Sequence, residues 1–470
     1  MTAPQAALEQ VLAAAGLNPA LAAAVTITGA DPVLPSGFLL GTAGAASLGA
    51  VGLAAADLWR RRGGGAQTVA IDLRAAALAL RTERHVLVDD AAPESPWSPI
   101  SGFYQAGDGR WVQFHCNFPP HRDGILAVLG AANDRADVAA KVAGWTAQAL
   151  EDRLAAAGMC AAMLRSGEEW QAHPQGRAVA VMPLVEIVRI GDAPRRSVDH
   201  RGAGNRPLAG IRVLDLSRVI AGPVAGRTLA EHGATVMRIS APHLPFVAPL
   251  LLDTGHGKVN AEIDLDAPGG RDRLHGLLAD ADVMIDAYRP DALAGRGFGA
   301  AELARRHPGI VLVRLSAYGE AGPWGARRGF DTLVQTASGL AADEAGGGIH
   351  DRPHHLPAQA LDYATAYLAA FGTMVALARR ADEGGSWCVR LSLAATARWL
   401  DALGRVPDRA AAFAIPDPAR DAGADLMIET ASPFGRLRHL KPALRMSATP
   451  PRWDRPPSPL ASHPAEWPAA

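Results

Sequence analysis

Cysteine is scarce in this sequence, with only Cys116, Cys160 and Cys388 among 470 residues. They are widely spaced and form no CxxC pair, which excludes a disulfide framework and argues against a cysteine-based zinc site. Neither sign of charge is in clear excess, because the formal net charge is −1. This balance disfavours a general nucleic-acid-binding protein but still permits a local basic pocket for a phosphorylated small molecule. We therefore expect reduced thiols, a cytoplasmic location and no nucleic-acid partner.

Targeting and membrane signals are also few. The first residues, "MTAPQAALEQ", have neither the basic head nor the apolar core of a secretory leader. One long uncharged run, from Pro32 to Ala56, ends in three arginines as a stop-transfer segment would. It is rich in Gly, Ala and Ser, however, and the transfer of these residues to lipid gains little free energy. A tightly packed buried helix is predicted here, with no membrane as a partner.

The chain is too long for one compact domain, and its patterns divide it. A linker rich in Gly and Arg, "RRSVDHRGAGNRP", marks a boundary near Gly204. Beyond it, short apolar strands such as "IRVLDLS" and "DVMIDAY" alternate with helices, which predicts an α/β fold with a doubly wound, Rossmann-like parallel sheet. The mixed pattern before the linker predicts a smaller α+β domain, and the Pro-rich tail is expected to wrap along the surface. The predicted units are residues 1–203, 204–405 and 406–470.

A worn internal repeat connects the two halves of the chain. When Gly64 is laid over Gly384, an offset of 320, each copy shows a small-residue helix, a basic end, a Gly turn and a short strand. The strands "AQTVAIDL" and "SWCVRLSL" alternate with a period of two. At this offset Asp362 falls on Thr42, and Thr caps a helix nearly as well as Asp. The repeat alone leaves open whether Asp362 is a helix cap or a nucleophile.

Two strand-to-helix segments are candidates for binding and chemistry. "AGPVAG", Ala221 to Gly226, resembles nucleotide-binding turns, although it is not GxGxxG and a simple tight turn explains it equally well. The stretch from Ser316 to Leu340 follows a strand and is dense in Gly, Arg and aromatic residues. It carries Asp331 and Gln335 shortly before the Asp362 helix, at a strand end where α/β enzymes build their sites.

Other chemistry has less support. "GGGIHDRPHHL" contains His350, His354 and His355 with Asp351, but without helical spacing or an HExxH pattern, so no metal site is predicted. The sequence has no GxSxG elbow and no Walker A loop, which argues against a serine hydrolase and a P-loop nucleotidase.

Four stretches between Arg206 and Leu400 together resemble the class III CoA-transferases, which share their fold with the α-methylacyl-CoA racemases. They are "RPLAGIRVLDLSRVIAGPVAG", "GHGKVNAEIDLDAPGG", "LSAYGEAGPWGARRGFDTLVQTASGL" and "QALDYATAYLAAFG". The first half, with "GDGRWVQFHCNF" and "PLVEIVRIGDAP", resembles the remainder of the same family. The usual back half therefore precedes the front half, as in a permuted chain or a worn tandem fusion.

The resemblance implies a CoA-transferase whose substrates are an acyl-CoA and a small carboxylic acid. The family's aspartate falls on Asp362, which would form an acyl anhydride and then an aspartyl-CoA thioester. Asp331 is the second catalytic candidate. A helix N-terminus would help to keep the Asp362 carboxylate ionised. The residues that would contact coenzyme A are Ala221, Gly222, Lys258, Tyr288, Arg289 and Arg296.

The racemase activity stays open as an alternative. Racemases of this fold carry a His where Phe330 stands here, and two-base racemisation needs a proton acceptor on each face of the substrate. Transfer is therefore favoured, unless His350, His354 or His355 substitutes from the neighbouring loop.

The departures from the family pattern narrow the range of expected substrates and keep a third functional alternative open. Ile220 replaces a family glutamine and Val259 replaces a basic residue, while no Gly-rich loop lies between Asp89 and Trp111. These differences argue against a formyl or oxalate substrate. A catalytically inactive CoA-binding paralogue also stays open, and so does a homodimer.

Overall fold

The computed structural model describes residues 3–199, 201, 204–421 and 423–468. The α-helices are α1 Ala3–Ala14, α2 Leu40–Arg61, α3 Leu73–Leu78, α4 Pro119–Leu129, α5 Arg135–Val142, α6 Ala147–Ala156, α7 Gly167–Ala172, α8 Pro174–Ala180, α9 Ala221–Glu231, α10 Ala248–Thr254, α11 Gly270–Ala279, α12 Pro290–Leu293, α13 Ala300–Arg306, α14 Asp331–Ala337, α15 Leu340–Glu344, α16 Ala360–Glu383, α17 Leu393–Ala402 and α18 Arg409–Phe413.

The strands are β1 Val25–Thr28, β2 Val69–Asp72, β3 Leu87–Val88, β4 Gly102–Gln105, β5 Trp111–Phe114, β6 Ala161–Met163, β7 Glu186–Gly191, β8 Arg212–Leu216, β9 Thr235–Ser240, β10 Lys258–Glu262, β11 Val283–Asp286, β12 Val311–Ser316, β13 Ser386–Ser392, β14 Met427–Ser432, β15 Gly435–Leu440 and β16 Arg445–Met446. Short 3₁₀ helices occupy Pro19–Ala24, Ala79–His85 and Ala424–Leu426, and a π-helical turn occupies Ala294–Phe298.

A seven-stranded sheet organises the C-terminal half. Its order is β10-β9-β8-β11-β12-β13-β7, and every pair is parallel except β13 with β7 at one edge. If β8 is counted as strand 1, the six parallel strands follow the doubly wound order 3-2-1-4-5-6. Successive strands are first added on one side of β8 and then on the other, so the strand order reverses between β8 and β11. Both of these strands are buried and largely apolar, as expected for a sheet covered on both faces. The predicted doubly wound α/β fold is confirmed.

Three smaller sheets surround the large one. The antiparallel sheet β4-β5-β6 packs with α4, α5 and α6 around a core of its own, and we call this the small unit. The sheets β1-β2-β16 and β14-β15-β3 each join strands from the two ends of the chain. The Pro-rich tail therefore contributes a hairpin and a further strand to the fold, in addition to irregular surface segments. The domain limits drawn from the sequence stay predictions.

The internal repeat is visible in the backbone. Each copy has two parallel strands, a long helix before the second strand and a further helix after it: β1–α2–β2–α3 in the first copy and β12–α16–β13–α17 in the second. In the second copy the short helices α14 and α15 lie between β12 and α16. Asp72 and Ser392, which correspond at the offset of 320, both cap that second helix with their side chains. Equivalent sequence positions thus have the same helix-capping role in the two copies.

The two long helices of the repeat, α2 and α16, pack against each other in the core. Small residues also let each helix lie close to the strand that follows it, because a Cβ added at Gly372 would lie 2.7 Å from Val389 in β13 and one added at Gly52 would lie 2.5 Å from Val69 in β2. Both helices are long and apolar enough to cross a membrane by composition, and both are mostly buried within the fold. The buried helix predicted from the uncharged run is confirmed as α2.

Candidate active site

A cavity of about 420 Å³ opens at the carboxyl ends of the parallel strands. Its walls include Leu216 at the end of β8, Ser240 at the end of β9 and Ser316 at the end of β12. The start of α9 and the segment after β11 complete this side, at the point where the strand order reverses. Doubly wound sheets bind ligands at this point, so the position of the cavity follows from the topology.

Asp362 lies in the first turn of α16 and faces this cavity, with 7% of its surface exposed. Within the residues that the structure describes, no hydrogen bond reaches its carboxylate. Burial raises the pKa of Asp362 well above its usual range, and the nearby carboxyls of Asp331 and Glu83 raise it further. Burial and these two like charges therefore act against the expectation that the helix end keeps this carboxylate ionised.

Asp331 lies behind Asp362, with 1% of its surface exposed, and it does not line the cavity. Its Oδ2 accepts a hydrogen bond of 2.9 Å from the Asp362 backbone N–H, and its Oδ1 accepts a short one from Gln335 Nε2. Burial raises the pKa of Asp331 to about 7, although these hydrogen bonds oppose the shift. Asp331 thus satisfies the N-terminus of α16, and the Asp362 side chain is not needed as a cap.

Five of the six residues predicted to contact coenzyme A line the same cavity. Gly222 lies at the start of α9, where an added Cβ would clash with Ser217, so only glycine fits there. Arg296 forms an ion pair of 2.8 Å with Asp266, whereas Arg289 is exposed and has no ion-pair partner among the described side chains. The five are Ala221, Gly222, Tyr288, Arg289 and Arg296.

Lys258 is the exception, because it does not reach the cavity. Its Nζ is fully buried and lies 2.6 Å from Asp215 Oδ2 and 2.6 Å from the carbonyl oxygen of Pro223. Burial lowers the pKa of Lys258 to about 8, while Asp215 opposes that shift. We therefore correct the prediction of a CoA contact: Lys258 ties β8 to the first turn of α9, and in this position it cannot meet a phosphate.

The turn between β8 and α9 is strained. Val219 has a φ of +72°, a region that β-branched residues rarely occupy. Val219 and Ile220 both line the cavity directly before Ala221. The strained backbone therefore lies at the ligand-binding edge of the sheet.

Four further residues of the cavity wall were not predicted from the sequence: Phe118, His121, Arg218 and Arg328. Arg218 follows the end of β8, so the rule that ligands bind at strand ends could have identified it. Phe118 and His121 belong to the small unit, and no sequence pattern shows that this unit closes one side of the cavity.

Aromatic contacts define that side of the cavity. The Phe330 ring stacks on His115 with centroids 3.7 Å apart, and it lies 6.1 Å from Phe118 and 5.9 Å from His121. The Arg218 guanidinium lies 5.4 Å from the Phe118 ring. Phe330, the residue that replaces the racemase histidine, is therefore part of an aromatic wall.

The histidines considered as substitutes for the racemase base lie elsewhere. His355 is stacked on Phe103, with centroids 4.4 Å apart, and His350 Nδ1 lies 3.2 Å from the Gly109 carbonyl oxygen. Neither of them lines the cavity, and nor does His354. The structure therefore does not bring these three residues to Asp362.

One group in the described part of the chain has metal-ligating atoms close together. It consists of His243, Asp264 and Asp266, whose ligand atoms lie within 4.8 Å of one another near the cavity. Asp266 is already paired with Arg296. This surface group does not by itself indicate a metal site, and the absence of a metal stays a prediction.

Comparison with known proteins gives this geometry a family. The model of CoA-transferase family III matches residues 11–194 and 208–406. Acetyl-coenzyme A transferase nodX of Hypoxylon pulicicidum is 31% identical over 64% of this chain and 54% of its own length. The probable fatty acyl-CoA transferase Rv3272 of Mycobacterium tuberculosis is 31% identical over 40% of this chain and 50% of its own.

A crystal structure of Rv3272 matches 42% of this chain and 58% of that protein, with a TM-score of 0.38 and 31% identity. The chain spans about half the length of the curated relatives it matches. The family model nevertheless covers well over half of this chain, in two segments on either side of the linker. The chain belongs to CoA-transferase family III.

Proposed function

We propose that this chain is a CoA-transferase that moves coenzyme A from an acyl-CoA donor to a carboxylic acid, with Asp362 as the covalent nucleophile. One observation carries the proposal. Asp362 presents a carboxylate to the cavity that no described group hydrogen-bonds, while Asp331 satisfies the helix end. A carboxylate held in this way is free to attack a ligand. Membership of CoA-transferase family III supports the same activity.

In the first half of the reaction, an oxygen of the Asp362 carboxylate attacks the thioester carbonyl of the donor. The carbon–sulfur bond breaks, and a mixed anhydride and the CoA thiolate form. The thiolate then attacks the Asp362 carbonyl of this anhydride. The donor acid leaves as a carboxylate, and Asp362 carries coenzyme A as a thioester.

The second half runs the same steps toward the acceptor. The acceptor carboxylate attacks the Asp362 thioester, which releases the thiolate and forms a new anhydride. The thiolate attacks the acceptor's acyl carbon, which yields the product acyl-CoA and regenerates the Asp362 carboxylate. No net proton is consumed, so this chain must supply position and charge stabilisation rather than a general acid.

Several cavity residues suit the coenzyme. Among the described residues, no acceptor pairs with the backbone N–H groups of Ala221 and Gly222 at the start of α9, so they can face an anion, and the missing Cβ at Gly222 allows close approach. Arg289 has no ion-pair partner among described residues and offers a fork of donors to phosphate oxygens. Tyr288 and Arg296 line the same wall. We propose these five residues as the coenzyme-binding set.

The pKa of Asp362 is raised mainly by burial, as expected for a nucleophile whose carboxylate is removed from water before it attacks. A desolvated carboxylate is more reactive than a hydrated one, at the cost of a smaller ionised fraction at neutral pH. Asp331 contributes to that balance because it holds the Asp362 backbone and lies close enough to repel the ionised form. We therefore assign Asp331 a positioning role behind the nucleophile.

The cellular setting and assembly belong to the proposal as well. All three cysteines are free and buried, which supports a reducing, cytoplasmic location. A homodimer is retained as a prediction, as is the absence of a nucleic-acid or membrane partner.

The test is the intact mass of the protein after incubation with a panel of acyl-CoA donors and trapping with hydroxylamine or borohydride. Three proteins are compared: the wild type, Asp362→Ala, and Thr42→Ala as the matched change at the equivalent helix end. We expect a trapped product on the peptide that contains Asp362 in the wild type and in Thr42→Ala, and none in Asp362→Ala.

Other outcomes would replace the proposal. If no donor gives a covalent species but α-protons exchange in deuterated water, the racemase-type activity is the better explanation. If neither signal arises although coenzyme A still binds, the chain is an inactive CoA-binding paralogue.

A further inference from the structure

A second cavity, of about 190 Å³, shares no lining residue with the cavity of Asp362. Its walls come from the turn before β10, from the tail hairpin β14–β15 and from the chain that follows this hairpin, so we call it the tail cavity. The residues that matter below are His256, Thr430, Lys441, Arg452, Trp453 and Arg455.

The two cavities lie at opposite ends of the strands. His256 precedes the first residue of β10 by two positions, whereas the cavity of Asp362 opens at the carboxyl ends of the parallel strands. Since β10 has five residues, roughly 16 Å of strand separates the two ends. The tail cavity is therefore a separate site and not an extension of the first one.

Flat rings form one wall of the tail cavity. The centroid of the His256 ring lies 4.9 Å from that of Trp453 and 4.0 Å from that of His439. Pro442 and Pro451 add apolar surface to the lining. Aromatic walls favour a planar ring, and the volume is sufficient for one, because an apolar cavity of about 150 Å³ accommodates benzene.

Two polar side chains of this lining have unused hydrogen-bonding capacity. His256 is 1% exposed, and its Nε2 has no hydrogen-bond partner among the described residues. Burial lowers the pKa of His256 well below its usual range, so the ring is neutral and its nitrogens can serve a neutral heteroaromatic partner. Thr430 is the second side chain.

The hydrogen bonds of His439 determine what Thr430 can offer. His439 Nδ1 lies 3.1 Å from the Leu440 carbonyl oxygen, so Nδ1 carries the proton and donates it. His439 Nε2 then accepts from the Thr430 hydroxyl, which lies 2.9 Å away. The Thr430 oxygen keeps its lone pairs for an N–H donor of a ligand. A ring that contains nitrogen suits this wall better than a hydrocarbon ring.

The exposed side of the tail cavity is positively charged. Lys441, Arg452 and Arg455 are exposed, and the described lining holds these three cations and no carboxylate. Within the described part of the chain, Arg455 forms no ion pair, while Arg452 lies 3.2 Å from Asp454. The Gly257 N–H donates to the Arg455 carbonyl oxygen at 2.9 Å, which holds the Arg455 backbone beside His256. Arginine and lysine donors in this number suit a phosphate monoester, whose charge is about −1.5 to −2 at neutral pH.

We propose that the tail cavity binds a small phosphate ester with a heteroaromatic ring, of which a nucleoside monophosphate is the simplest example. The ring lies against Trp453 and His256 and pairs with His256 Nε2 and the Thr430 oxygen. The phosphate lies at the exposed side, where it meets Arg455 and Lys441. This inference goes beyond the proposed function, because the ligand does not approach Asp362.

The experiment titrates the full chain with AMP and with CMP by isothermal titration calorimetry in saturating coenzyme A. The coenzyme is present to occupy the cavity of Asp362, and two nucleotides are used because the volume admits a ring of either size only closely. We expect one of them to bind with a stoichiometry of one per chain. Its nucleoside and inorganic phosphate should each bind at least about 10-fold more weakly, since each makes only part of the contacts.

Variants assign the binding to the tail cavity. Arg455→Gln should weaken nucleotide binding by about 10-fold, because it removes a charge-assisted hydrogen bond. Arg352→Gln is the matched control, since Arg352 is exposed and lines neither cavity, and Arg289→Gln alters the first cavity alone. Both should leave the nucleotide affinity unchanged. Lys441→Gln, with the same expected loss, replaces Arg455→Gln if that variant does not fold.

Three results would overturn the inference. The first is the absence of binding with either nucleotide. The second is equal affinity for a nucleotide and for inorganic phosphate, which would show that the exposed cations attract anions without a ring site. The third is a loss of nucleotide affinity in Arg289→Gln but not in Arg455→Gln, which would place the nucleotide in the first cavity. Because calorimetry requires no CoA transfer, failure of the proposed function is detected separately, by the trapping of Asp362.

Discussion

The first turns of α2 and α16 are two versions of one structure. In α2, Asp31 Oδ1 accepts the Gly41 N–H and Oδ2 accepts the Thr42 N–H, each at 2.8 Å. In α16, Asp331 Oδ2 accepts the Asp362 N–H at 2.9 Å. Both helices are thus capped by an aspartate from a preceding segment. Only α16 has a second carboxyl at the capped position.

The difference separates stability from function. In α2 the cap is formed by Asp31, and a threonine, Thr42, stands at the position equivalent to Asp362. The cap therefore does not require an acid at that position. In α16 the second carboxyl lies near Asp331 and Glu83, and the pKa of Asp362 is raised by burial and by both of them. Such repulsion costs stability, and residues that carry this cost are concentrated at functional sites. Of the two copies, the one that contains α16 therefore carries the candidate catalytic carboxylate.

The largest expected effect comes from moving the carboxylate between the copies. Asp362→Ala should lower kcat for CoA transfer by about 10⁴-fold or more, since it removes the covalent nucleophile. Adding Thr42→Asp to this variant should not restore activity, because Thr42 is 2% exposed and lies away from the cavity lining. Transfer is measured by chromatography of the CoA esters. Recovery of activity in the double variant would show that the first copy still holds a working site.

The pH profile is the next most sensitive comparison. Attack needs the ionised form of Asp362, so kcat/KM should fall as pH drops through its raised pKa. Asp331→Asn keeps an oxygen for the Asp362 N–H and removes the like charge, so the midpoint should move to lower pH. Initial rates between about pH 5 and 9 test this. Asp31→Asn serves as the control, and a midpoint for Asp331→Asn that stays in place or rises would contradict the electrostatic explanation.

Stability should fall as pH rises at both caps, because burial raises the pKa of Asp31 as well as that of Asp331. Asp31→Ala removes the acceptor for two N–H groups and should cost about 1 kcal/mol of unfolding free energy. The pKa of Asp331 is about 7 in the folded chain against an ordinary value of 3.8. Its favourable contribution is therefore complete below about pH 4 and is lost as pH rises through about 7.

Urea unfolding of the wild type, Asp31→Ala and Asp331→Ala at pH 5 and pH 8 measures the pH dependence at each cap. We expect Asp331→Ala to be less costly at pH 8 than at pH 5, because the variant no longer carries a carboxyl that ionises in the core. The difference from the wild type isolates Asp331 from other acids that titrate. An equal cost at both values would mean that Asp331 has the same charge throughout.

Local patterns predicted much of this site. The alternation of strands and helices indicated the doubly wound sheet, and the burial of α2 followed from its small residues. These two features depend on periodicity and on topology, both of which a sequence carries directly. Ala221, Tyr288 and Asp362 were assigned to one site from the resemblance to the class III CoA-transferases.

Long-range packing decided the rest. Lys258 follows a Gly-rich turn like many phosphate ligands, but the Asp215 carboxylate and a carbonyl in α9 enclose it. His121 reaches the cavity only because the small unit docks beside Phe330. Asp331 became a cap because the segment before α16 folds back on that helix. The tail hairpin β14–β15, too, pairs with β3, a strand far away in sequence.

The smallest expected effect concerns a hydrogen bond that only one copy contains. Thr365 and Thr396 join α16 to α17 through their hydroxyls, 2.6 Å apart, and the equivalent residues Ala45 and Ala76 are apolar and fully buried. Thr365→Ala should cost about 1–2 kcal/mol, because it leaves a buried hydroxyl without its partner. The double change to two alanines should cost less than the two single changes together, since both polar groups are then gone. Urea unfolding of the four proteins gives this coupling, and additive costs would mean that the two hydroxyls do not stabilise each other.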